Sequence, residues 1–146
     1  MAGRPSEALM KCPDLAKELG CSPTVVAAWS GGLPEGQAYR MGLERAQWFE
    51  FTPTEVEFIR ERVRRWREKR GSKVSAVQRE LLKVLGDGER HEWGPLKRRV
   101  MSIGGWNGEE VGKGLRELEP VWSEGRVKRA DGTVEHNVLF VEVPRL

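Results

Sequence analysis

Residues 15–34 read LAKELGCSPTVVAAWSGGLP, and their spacing predicts two short helices joined by a tight turn. Leu15, Ala16 and Leu19 share one helical face, and Gly20 follows where the chain must turn sharply. Ser22 suits the N-cap of a second helix, Pro23 its first position, and Val25, Val26 and Trp29 recur at helical spacing. A small Ala at the crossing and a Gly in the turn are what two steeply crossed helices require. The stretch reads as a helix-turn-helix, with a plain helical hairpin as the alternative. Gly31-Gly32-Leu33-Pro34 then stops the second helix.

Downstream, residues 37–51, QAYRMGLERAQWFEF, read as a small hairpin, because Trp48-Phe49-Glu50-Phe51 has the aromatic content of a short strand. Thr52-Pro53-Thr54-Glu55 announces a helix: Thr52 as cap, Pro53 at the first position, Glu55 closing a capping box. Val56, Ile59, Val63 and Trp66 follow at steps of three and four and give one apolar stripe. Residues 51–73 carry eight Lys or Arg against four Glu, whereas the segments on either side come to −1 and 0. A helix this basic is usually a solvated face packed on its own domain; the sharper reading turns its arginines toward phosphate.

From Val74 the pattern restarts. SAVQRELLKVLGDG (75–88) predicts a helix with Val77, Leu81, Leu82 and Leu85 turned inward. Trp93-Gly94-Pro95 opens a second helix that buries Leu96, Val100 and Ile103. Asn107 caps a third helix, EEVGKGLRELEPVW, with Val111, Leu115 and Leu118 inward. Gly112 and Gly114 weaken that helix by roughly 1 kcal/mol each relative to Ala, which implies close approach to another helix. GRVKRADGTVEHNVLFVEV (125–143) is two alternating strands around Asp131-Gly132, the strongest short hairpin signal. Three helices and a hairpin make a winged helix. The expected fold is therefore mainly α with small β-hairpin wings (α+β), as tandem winged helix-turn-helix domains at residues 1–72 and 73–146.

Residues 12–72 resemble the DNA-binding domain of the MerR and excisionase-like group. The likeness is carried by LAKELGCSPTVVAAW, then GLP, then WFEF, then TPTEVEFI. It implies a helix-turn-helix, a small wing and a further helix. Phage Cro-like repressors share the first motif, and PEGQAYRMGLERA can be read as their next helix. Residues 74–146 resemble a generic winged-helix domain of bacterial and phage regulators, a class that grips protein as often as DNA. Two departures stand out. Where DNA-reading relatives carry Arg, Gln or Tyr, the second helix has Thr24, Ala27, Ala28 and Ser30, which offer little to base edges. The recognition helix of the second half begins with Glu109-Glu110, which repel phosphate.

The chain of 146 residues is 32% charged with a net charge of only +3, so it is not a grossly basic coating protein. Cys12 and Cys21 form no disulfide framework, no apolar run approaches a membrane span, and the amino terminus lacks a signal-peptide pattern, which together imply a reducing cytoplasm. Cys12, Cys21, His91 and His136 fit no common zinc spacing. No phosphate loop or nucleophile elbow is present either, so neither a metal, a cofactor nor an enzymatic activity is expected.

These readings point to a small non-enzymatic transcription regulator, encoded by a phage or other mobile element, that binds double-stranded DNA and forms a possible homodimer, with no membrane partner. One alternative is a factor that binds RNA polymerase or a replication protein through a winged helix. Another is an excisionase-like architectural factor that bends DNA. Candidate DNA contacts are Lys17, Ser22, Thr24, Ser30, Arg40, Arg45, Arg60 and Arg64 in the first half. In the second they are Lys97, Arg98, Arg99, Lys113, Arg116, Arg126, Lys128 and Arg129. Glu109 and Glu110 are candidate protein contacts. Lys17, Thr24, Arg40, Arg45, Arg60 and Arg64 are expected to carry most of the affinity for DNA.

Overall fold

The computed structural model describes residues 9–30 and 49–146. Among these residues six helices and two small antiparallel sheets give a mixed α+β architecture, about 54% helical. The helices are α1 (Cys12–Leu19), α2 (Pro23–Ala28), α3 (Pro53–Ser72), α4 (Ala76–Leu85), α5 (Trp93–Gly104) and α6 (Gly108–Arg116). The first sheet pairs β1 (Met10–Lys11) with β2 (Glu50–Phe51). The second has the order β3-β5-β4, from β3 (His91–Glu92), β4 (Val121–Lys128) and β5 (Val134–Glu142).

Local chemistry explains where these elements start. Ser22 accepts from the Val25 N–H at the head of α2, with Pro23 at the first position. Thr52, Ser75 and Asn107 each close a full capping box, with Glu55, Gln78 and Glu110 respectively. Gly20 ends α1 in the left-handed region at φ 67°, which a side chain there would strain. The Asp131-Gly132 turn closes with Arg129 N–H donating to Thr133 O at 2.8 Å, and the Asp131 carboxylate accepts from the Thr133 hydroxyl at 2.6 Å.

The aromatic strand is Glu50–Phe51, which pairs with Met10–Lys11; residues 37–48 of the expected hairpin lie outside the described residues. Three features differ from the reading of the sequence. The third helix of the second half ends at Arg116, because Glu119 adopts a positive φ of 55° ahead of Pro120. Trp122 therefore belongs to β4, which starts at Val121 and is longer than its alternating pattern suggested. Ile103 is 57% exposed at the end of α5 instead of buried.

Buried side chains from both expected halves join one apolar cluster. Leu15, Val26 and Trp29 meet the α3 stripe of Ile59, Val63 and Trp66, and the cluster runs on through Leu81, Leu85, Leu115, Leu118 and Val141. Polar bonds cross the same boundary. The Trp66 indole donates to Leu118 O at 2.7 Å, and Arg70, a buried guanidinium, donates to Glu117 O at 2.8 Å. Arg67 donates to Arg145 O at 2.7 Å and also to Leu19 O, tying the carboxyl-terminal residues to the α1–α2 turn. A backbone bond from Arg145 to Gly20 O (2.9 Å) completes the junction, and the next residue, Leu146, bonds within its own half to Gly86 O (3.1 Å). Among the described residues no helix is long and apolar enough to cross a membrane.

Candidate nucleic-acid interface

The arginine-rich helix α3 divides its cations between two tasks. Arg62, Arg67 and Arg70 hold the fold together: Arg62 lies over the Trp29 ring at 4.9 Å, and Arg70 lies over Trp66 at 5.4 Å. Arg60, Arg64 and Arg65 are exposed to different degrees but paired. Arg60 donates to Glu18 at 2.7 and 2.6 Å and to Glu57 at 2.6 Å. Arg64 pairs with Glu61 and Glu68, and Arg65 with Glu61 at 3.0 Å. The bonds from Arg64 and then Arg65 hold the Glu61 carboxyl down at about 2. Arg60, Arg64 and Arg65 are thus paired with Glu18, Glu57, Glu61 and Glu68, although the helix as a whole, with seven Lys or Arg against four Glu, stays positive.

In the first half, α2 turns most of its surface inward. Val25, Val26 and Ala27 are fully buried, and Ser30 is only 4% exposed. Ala28 is exposed and Thr24 half-buried, while Ser22 is occupied by its cap bond and by donation to Glu142. Lys17 is exposed. Arg40 and Arg45 lie outside the described residues.

In the second half the cations stand apart from acids. Lys97, Arg98 and Arg99 of α5, Lys113 and Arg116 of α6, and Arg126 and Lys128 of β4 form no ion pair among the described residues. All but the half-buried Lys97 are exposed. Alternation along β4 puts Trp122, Glu124, Arg126 and Lys128 on one face of the strand, with a register shift between Gly125 and Val127. Arg129 behaves differently, donating to Glu92 at 2.8 Å and pairing with Glu135, so it braces the hairpin against β3. Of the two candidate protein contacts, Glu110 closes the α6 capping box and Glu109 remains exposed.

Between α5, α6 and β4 lies a groove of about 670 Å³ whose apolar wall is Trp93 and Trp122. Their rings meet edge to face, with centroids 5.8 Å apart and planes at 86°. Gly108 and Gly112, one turn apart on α6, leave room along its floor. Lys97 lies over Gly108, where an added Cβ would meet Nζ at 3.3 Å, and Arg116 over Gly112, where it would meet Nη1 at 3.4 Å. Glu109 also lines the groove.

Sequence reasoning placed Lys97 and Arg116 among the candidates but gave Trp93 and Trp122 only a packing role. Nothing in the local pattern marks two tryptophans 29 positions apart as neighbours; they meet because β4 begins earlier than its alternation indicated. Glu142 was missed as well. It is 1% exposed, and burial pushes its carboxyl above the ordinary range, opposed by the Ser22 bond and by the charges of Arg90 and His91. Burial likewise raises both thiols, Cys12 and Cys21, to about 12, which disfavours their thiolate forms. Comparison with family models, with curated proteins and with solved structures finds no match to this chain.

Proposed function

We propose that the protein is a non-enzymatic transcription regulator that grips double-stranded DNA with residues 73–146. The observation that carries this reading is the set of cations on α5, α6 and β4 that have no ion pair among the described residues, whereas the exposed Arg60, Arg64 and Arg65 of α3 are each paired with glutamates. The order α4-β3-α5-α6-β4-β5, with β3 pairing onto β5, supports a winged-helix unit in which α6 and the hairpin face the duplex. The α1–α2 pair with its Gly20 turn supports a helix-turn-helix in the first half. Phosphate neutralisation supplies most of the affinity, since α2 carries no Arg, Lys, Asn or Gln and α6 offers only Lys113 and Arg116 to base edges. Shape and deformability of the duplex then supply such specificity as there is.

The test is titration of the full chain against labelled duplex at several salt concentrations. Binding whose affinity falls steeply with salt is expected; absence of binding to any duplex at low salt would overturn the reading. A second reading, a factor that docks on RNA polymerase or a replication protein, is favoured by Glu109 and Glu110, both exposed at the head of α6, where they repel phosphate. A pull-down from the native host, read for DNA and for polymerase subunits, separates the two.

A further inference from the structure

We infer that the groove between α5, α6 and β4 seats an unpaired nucleotide at the end of a duplex, with its base against Trp93 and Trp122 and its phosphate between Lys97 and Arg116. The inference rests on the DNA-binding reading and deepens it.

Volume comes first. About 670 Å³ suits a small-molecule-sized group and excludes a duplex, which is far wider. Both indoles are half-buried at the bottom of the groove, so a base still inside a helical stack does not reach them, whereas one freed from its partner does. An edge-to-face pair leaves a ring face open to a flat aromatic ligand, and every base has such a face.

Charge narrows the ligand further. Lys97 and Arg116 are held over Gly108 and Gly112 with no acidic partner among the described residues, so their charge is available to a phosphate in the groove. A peptide side chain would satisfy the tryptophans but leave both cations unanswered. Glu109, the single carboxylate on the lining, follows Gly108 in the chain and so tempers the charge at the Lys97 end, but the two cations outnumber it. Continuity supplies the last argument. Arg126 and Lys128 lie beyond Glu124 on the Trp122 face of β4, so a duplex backbone lying on the outer part of the hairpin points its strand end toward the groove.

The experiment compares the full chain on a blunt duplex and on the same duplex with a short single-stranded overhang, by fluorescence anisotropy. The overhang is expected to bind about tenfold more tightly, the scale of one base stacked on an aromatic ring. Gly112→Leu fills the groove from a position where only the Arg116 guanidinium is near, and Leu favours helix over Gly, so the variant folds. It should abolish the preference for the overhang, and Glu109→Gln should enlarge it. Equal affinity of the native chain for both duplexes, or a preference that survives Gly112→Leu, would overturn the inference while leaving duplex binding intact. A free mononucleotide is expected to compete only at far higher concentration than the overhang. Equal potency would make the groove a small-ligand site and overturn the strand-end assignment. Failure to bind either duplex at low salt would instead overturn the DNA-binding reading itself.

Discussion

Ser22 and Glu142, 120 positions apart in the chain, share one hydrogen bond: the hydroxyl that caps α2 donates to the carboxyl near the end of β5. That contact places an ionisable group at 1% exposure in the junction between the two halves. Burial raises its pKa, so the folded chain holds this proton more tightly than the unfolded chain does. The contribution of Glu142 therefore favours folding at low pH and is lost as the pH rises through its folded value. Glu142→Gln keeps an acceptor for Ser22 without a charge. It is expected to raise the thermal midpoint near neutral pH and to change it little at about pH 4, where both states hold the proton. Equal shifts at both pH values would exclude Glu142 as the titrating group.

Ser22→Ala removes the cap and the Glu142 partner together. Loss of the cap alone costs about 0.5–2 kcal/mol, and stranding a buried carboxylate adds to it near neutral pH. The destabilisation should be smaller in a Glu142→Gln background than in the native one, a coupling that a double-mutant cycle in denaturant measures. Additive effects would mean that the two side chains act independently.

Trp66 carries a second link across the boundary, its indole donating to Leu118 O. Trp66→Phe leaves that carbonyl without its donor at a buried site and should lower stability by roughly 1–3 kcal/mol. A fragment of residues 73–146 lacks Trp66, Arg67 and Arg70 altogether. Calorimetry of the fragment should show a cooperative transition at a lower temperature than that of the full chain. A fragment as stable as the full chain would mean that the junction contributes nothing.

Most element starts were legible because caps act locally. Ser22, Thr52, Ser75 and Asn107 each bond a backbone N–H three residues on, so the signal lies within one turn of sequence. What stayed hidden was long-range pairing. Nothing in MK or HE marks Met10–Lys11 or His91–Glu92 as strands; they are strands only because Phe51 and Val141 lie opposite. Charge pairing was legible in part: Glu57, Glu61 and Glu68 stand three or four positions from Arg60 or Arg64, whereas Glu18 is brought to Arg60 from α1 by the fold.

The two helical glycines of α6 should respond in opposite ways. A Cβ at Gly114 would sit 2.7 Å from Cγ1 of Val77 in α4, a contact that a stiff β-branched side chain cannot relieve. Gly114→Ala is expected to destabilise by about 1–3 kcal/mol through overpacking. At Gly112 the one neighbour within 4 Å is the flexible Arg116 guanidinium at 3.4 Å. Gly112→Ala should therefore stabilise by up to about 1 kcal/mol through helix propensity. Denaturation midpoints of the two variants check the pair, and shifts of the same sign would contradict this packing of α6 on α4.

Salt dependence tells which cations meet phosphate. Each phosphate neutralised contributes a slope of roughly −0.9 to log K against log salt. Arg126→Ala with Lys128→Ala should thus flatten the slope by about two units, and Lys97→Ala with Arg116→Ala, which share one phosphate, by about one on a duplex with an overhang. Arg60→Ala with Arg64→Ala should flatten it by less, because those guanidiniums already answer Glu18, Glu57, Glu61 and Glu68. Titration of each double variant across a range of salt, on one duplex, measures all three slopes. If Arg60 and Arg64 gave the larger change, phosphate would be outcompeting their glutamates, and α3 rather than the second half would carry the DNA.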